Sequence, residues 1–178
     1  MNTKLLAAAL LALSPILAVG QPQQPQKWSG LLQIEVNGDE PGASAVKGYA
    51  NREVWALGDV AVTPNGAQFH LGIVVLPFKN GSQIAGYAIS AEAYEYFLTD
   101  AFKQVLVERN INPAVRAELA SFVDGARLNV RQSAFICEAS GLEGAIKRLV
   151  ADFNANSLQA HRVMFQKVID NQKKAKQN

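Results

Sequence analysis

The side chains able to do chemistry are few and far apart. Cys137 is the sole cysteine, and His70 and His161 are the only histidines, 91 positions apart. A thiol nucleophile at Cys137 with one of these imidazoles as base is the sharpest enzymatic combination available. Cys137 also precedes a helix expected to start near Gly141, and a helix N-terminus lowers a thiol pKa. Against that, Cys137 ends the apolar run Ala134-Phe135-Ile136-Cys137. A thiol buried in such company packs as a small hydrophobe and keeps its proton. A packed structural cysteine is therefore expected, and no catalytic residue is assigned.

Two histidines without H-x-H or H-x₃-H spacing do not make a metal site, so neither a metal nor another cofactor is expected. His70 reads as a core or sheet-edge side chain donating to a carbonyl, and His161 as the rim of a helical apolar stripe. There is no G-x-S-x-G, H-E-x-x-H, C-x-x-C, P-loop or G-x-G-x-x-G, which counts against the commoner hydrolase and nucleotide chemistries. Asn80-Gly81-Ser82 matches a glycosylation sequon, and turn chemistry already accounts for Asn80. The residues assigned to binding are two aromatics. Trp28 stands where a Gln/Pro leader meets the domain, and Tyr96 falls opposite the apolar stripe of an expected helix.

These side chains must be placed by elements that the hydrophobic period and turn residues outline. Three Asn-Gly pairs, Asn37-Gly38, Asn65-Gly66 and Asn80-Gly81, tolerate positive φ and signal hairpins. Leu32, Ile34 and Val36 alternate with Gln33 and Glu35, as in a half-buried strand. A two-residue Asn80-Gly81 loop sets Val75 opposite Gly86 and Ile73 opposite Ala88. Both faces of that hairpin are apolar, which predicts a central position covered on each side. Gly72, Gly86 and Ala88 would admit a close neighbour.

The period changes after Ser90, read as an N-cap, and Tyr94, Phe97, Leu98, Phe102 and Leu106 follow helical spacing to about Arg109. Asn112-Pro113 caps a second helix that Gly125 ends. Residues 126–138 fit a strand, the preferred reading, or a continued helix. Ser140 and Glu143 form a capping box for a last helical stretch, interrupted at Asn154–Ser157.

The start of the chain carries the compartment. Lys4, an apolar run from Leu5 to Val19, and the small residues Ala18 and Gly20 have the layout of a cleavable secretory signal. Removing 20 of the 178 residues leaves 158, enough for one domain that folds without disulfides. Without Lys4 the 17 basic residues become 16 against 15 acidic ones, too balanced for a nucleic-acid surface.

The expectation is thus an α+β fold. An antiparallel β-meander (about 30–90) is packed by helices 91–109 and 113–124 and a C-terminal helix pair 141–172. It follows a signal (1–20) and a flexible leader (21–29), forms a single domain (30–172), and ends in a basic disordered tail (173–178). The expected function is an exported, non-enzymatic protein, periplasmic or extracellular, binding a protein partner or small ligand, with no nucleic acid and no membrane span after signal cleavage. The alternatives are a small secreted hydrolase or transferase with an unlisted site, and an envelope-assembly accessory protein.

Overall fold

The computed structural model describes residues 27–96 and 99–175, with the side chains of 99–101 left aside. The expected signal, most of the leader, and Phe97 and Leu98 of the expected helical stripe lie outside the described residues, as do residues 176–178 of the expected disordered tail. Residues 173–175 of that tail are helical. The elements run β1 (Gly30–Gly38), α1 (Gly42–Trp55), β2 (Val60–Val62), β3 (Phe69–Asn80) and β4 (Gln83–Tyr96). They continue with α2 (Thr99–Glu108), α3 (Pro113–Val123), β5 (Arg127–Glu138), α4 (Leu142–Phe153) and α5 (Gln159–Ala175). The class is α+β, and residues 127–138 are a strand.

The sheet order is β2-β1-β3-β4-β5. β1 is parallel to both of its neighbours, while β3, β4 and β5 are antiparallel, so the first part of the expected meander is corrected. Its cause is α1, because a parallel pair needs a crossover, and a helix supplies it. Gly42, Val46, Ala50 and Val54 recur every fourth residue and are all buried, forming the stripe that lies on the sheet. Gly38, Gly66 and Gly81 all take positive φ, yet only the Asn80-Gly81 corner joins strands that pair with each other.

That hairpin is also shifted. Asn80 pairs with Gln83 and Lys79 with Ile84, so the loop is Gly81-Ser82, and the next pair, Phe78 with Gly86, leaves Ala85 as a bulge. Val75 then faces Ile89 and Ile73 faces Ala91. From Gly86 onward the offset from the expected register is odd, which moves the β4 side chains beyond the bulge to the other face. Tyr87, Ile89, Ala91 and Ala93 join Leu71, Ile73 and Val75 in the core.

The strand also runs on through Tyr96, so Ser90 is not an N-cap and Tyr94 and Tyr96 are strand residues. Asn112 behaves as expected, its Oδ1 accepting from the N–H of Ala114 at 2.9 Å. Ser140 and Glu143 do not form a capping box. A short 3₁₀ turn, Ala139–Gly141, occupies that site, and Glu143 instead accepts from Arg52 of α1 at 2.6 Å.

Helices α1 and α4 pack on each other and on one face of the sheet, around Leu32, Ile73, Val75 and Ile146. Their absence from the other face corrects the expectation of a sheet covered on both sides. The interruption at Asn154–Leu158 is a π turn that buries Ser157 and Leu158 before α5 leaves the domain. α5 has no buried residue. It is held at its base, where Arg162 clamps Asp59 with two hydrogen bonds of 2.5 and 2.7 Å and lies over Trp28, 5.1 Å from the ring centroid.

Candidate binding face

The uncovered face of the sheet divides along the strands into an apolar half and a polar half. Alternation puts Val74, Leu76 and Phe78 of β3 on it, together with Ala88 of β4 and Ile136 of β5. These are large apolar side chains left in water: Leu76 is 52% exposed and Ile136 73%. Val74, Leu76, Ala88 and Ile136 line a shallow groove of ≈ 560 Å³. Gly86 is required here, because a Cβ would meet the Phe78 ring and the Cys137 carbonyl. The close neighbour admitted by Gly72 and Gly86 is thus a ring from the same sheet (His70 over Gly72, Phe78 over Gly86), not a helix.

Beyond Val74 the same face turns polar, around a ≈ 360 Å³ pocket bordered by Glu35, His70, Glu92, Tyr94 and Arg127. The pairs His70–Tyr94 and Tyr96–Arg127 create it. The His70 and Tyr94 rings stack at 4.5 Å and 14°. Arg127 covers Tyr94 at 4.3 Å from the centroid and bridges to Glu92 at 3.2 Å. Tyr96 stands edge-on to Tyr94, its hydroxyl 3.3 Å from that of Tyr94, and donates to Gln33 Oε1 at 3.4 Å.

The expected bond from His70 to a carbonyl is not made at Nδ1. That atom is buried with no hydrogen-bond partner. Burial lowers the His70 pKa; Glu35 and Glu92 pull it up, and Arg127 adds to the lowering. Tyr94 is pushed up to about 12, first by burial and then by the hydrogen bond to Tyr96. At neutral pH the centre is an uncharged aromatic stack flanked by carboxylates and one guanidinium.

The other candidates sit elsewhere. Cys137 pairs with Tyr87, seven residues along β4 from Tyr94, which puts His70 roughly 25 Å away. Burial raises the Cys137 thiol, while a backbone hydrogen bond from Tyr87 and the charge of Arg148 oppose the rise. It packs, half-buried, at the edge of the core. His161 is on the helical side, edge-on to Phe69 at 5.0 Å, with Nε2 3.0 Å from Glu95 Oε2. Trp28 packs on Phe69 on that side too, so the two expected binding aromatics, Trp28 and Tyr96, lie on opposite faces of the sheet. The helical side has its own ≈ 310 Å³ cleft at the π turn, where Arg131, Asp152 and Asn156 line the rim.

Among the described residues no group of three His, Cys, Asp or Glu side chains is placed to hold a metal, and no helix is long and apolar enough to cross a membrane. The signal that could have found the face was the β3–β4 register. Glu35, Glu92, Tyr94 and Arg127 come from three strands and have no motif in common.

No family model matches the chain, and no curated protein does. Among solved structures it is similar to the PelC dodecamer subunit from Paraburkholderia phytofirmans, at 10% identity and TM-score 0.41, covering 74% of this chain and 89% of that one. It is similar to lipoprotein GNA1162 from Neisseria meningitidis, at 14% identity and TM-score 0.35, covering 72% and 99%. Protein XCC0632 from Xanthomonas campestris, of family DUF330, aligns at 10% identity and TM-score 0.40, covering 84% and 93%. Likeness this weak says nothing of what the chain binds.

Proposed function

We propose that this is an exported, non-enzymatic interaction protein that docks a protein partner on the bare face of its sheet. The observation that carries this is the groove of Val74, Leu76 and Ile136, left in water beside a polar pocket. Contiguous apolar surface with a polar border is what protein interfaces are made of. Export rests on the layout of residues 1–20. The non-enzymatic part rests on the reactive groups themselves. The Cys137 thiol is held protonated and far from both imidazoles, and Tyr94 is far from ionising at neutral pH.

A photo-crosslinking residue placed at Leu76 in the exporting cell tests the reading, with Lys147 on the outer side of α4 as control. A protein adduct from position 76 and none from 147 is expected. Equal adducts from both positions, or none from 76, would overturn it.

A second reading has its own observation. The unpartnered Nδ1 of His70 beside Glu35 and Glu92 suits a small polar ligand that donates hydrogen bonds. A molecule co-purifying with the wild type and lost from His70→Phe would favour it over a protein partner.

A further inference from the structure

Among the apolar surfaces that the described residues leave exposed, two lie on opposite sides of the sheet. One is the groove of Val74, Leu76 and Ile136. The other is the outer part of α5, where Met164 is 68% exposed, Val168 is 48% exposed, and Phe165 and Ile169 are only half-buried. At 100° per residue, Met164, Phe165, Val168 and Ile169 form one stripe.

We propose that α5 of one copy docks on the bare sheet face of a second copy. This rests on the reading above and names the partner of that face. The helix cannot reach its own groove. Its base is fixed on the helical side of the sheet by His161 against Phe69 and Glu95, and by Arg162 on Asp59. Only a second molecule can bring the stripe and the groove together.

Size and charge match. The helix Gln159–Ala175 is about 25 Å long, and the stretch of β3 from Gly72 to Phe78 is about 20 Å. Beyond Arg162, α5 carries Lys167, Lys173 and Lys174 against Asp170. The polar end of the face offers Glu35 and Glu92 against Arg127, which already bridges Glu92. An excess of cations thus meets an excess of carboxylates, and the stripe meets the groove.

Sedimentation of the exported chain at micromolar concentrations tests this, with two variants, Leu76→Glu in the groove and Val168→Glu on the stripe. Both positions are exposed, so melting temperatures should stay near wild type. Ile136→Gln serves as a second groove variant. The wild type is expected to self-associate, and each variant to do so about tenfold more weakly or worse. An equimolar mixture of Leu76→Glu and Val168→Glu should then recover a dimer, because the first still has a sound stripe and the second a sound groove. A monomeric wild type, or a mixture no better than its components, would overturn the proposal. If position 76 crosslinks only a different protein, self-docking is wrong and the bare face remains a docking face. If position 76 yields no adduct, both fail together.

Discussion

His70 shows how one side chain's chemistry is decided by the strand beside it. Its sequence neighbours are apolar, and so is the middle of its own strand. What sets its properties is the cross-strand ring of Tyr94 and the unpartnered Nδ1. Because burial lowers its pKa below the ordinary 6.5, the unfolded chain binds a proton more readily than the folded one. Stability therefore falls as pH drops through 6.5 and continues to fall until the folded pKa is reached. Replacing His70 with Phe keeps a ring on Tyr94 and removes the titration. Urea midpoints compared at neutral and mildly acidic pH should show a smaller acid loss in the variant. An unchanged loss would assign it to other groups.

At the scale of elements, α1 is decided by side chains that are nearly absent. Gly42 lies against the Tyr87 ring, and a Cβ there would come within 2.9 Å of it. The helix rests on the sheet through small residues and two valines, which is why its apolar signal is faint. Gly42→Leu should therefore cost about 1–3 kcal/mol through overpacking. Gly48 in the same helix has open space around it, so Gly48→Ala should stabilise by about 0.5–1 kcal/mol. Equal effects of the two changes in urea denaturation would show that α1 does not press on the sheet. The recurrence of Gly42, Val46, Ala50 and Val54 was not read as a helix in the sequence, where a meander was expected, because small residues give so faint an apolar signal.

For the whole molecule, the joint between domain and C-terminal helix is the place where energetics and function meet. Arg162 links α5 to Asp59, just before β2, and covers Trp28, so it ties the last element to the first ones. The side chains are 21% and 29% exposed, shielded enough for the clamp to count. Arg162→Ala should cost about 1–2 kcal/mol. It should also speed hydrogen exchange along α5 while leaving β3 and β4 protected. If β3 and β4 lose protection equally, α5 is part of the core's cooperative unit instead of an arm. Self-association should weaken in the same variant, since a loosened arm loses its fixed direction.

Local chemistry alone determined the class, the helix ends at Asn112 and Gly125, the break at Asn154 and the packed character of Cys137, and it favoured a strand at 126–138 over a continued helix without deciding between them. Each follows from period, capping or neighbours within a few residues. What the tertiary structure decided were relations between distant segments: the parallel β1–β3 pairing, the bulge at Ala85, the bare second face and the meeting of His70, Tyr94 and Arg127. An Asn-Gly corner states that the chain turns and not which strand it will then pair with. A single bulged residue reverses the faces of the strand beyond it, because side chains alternate with a period of two. Which apolar surface stays in water depends on how many helices pack against the sheet and on which side, and no local pattern in the chain records that.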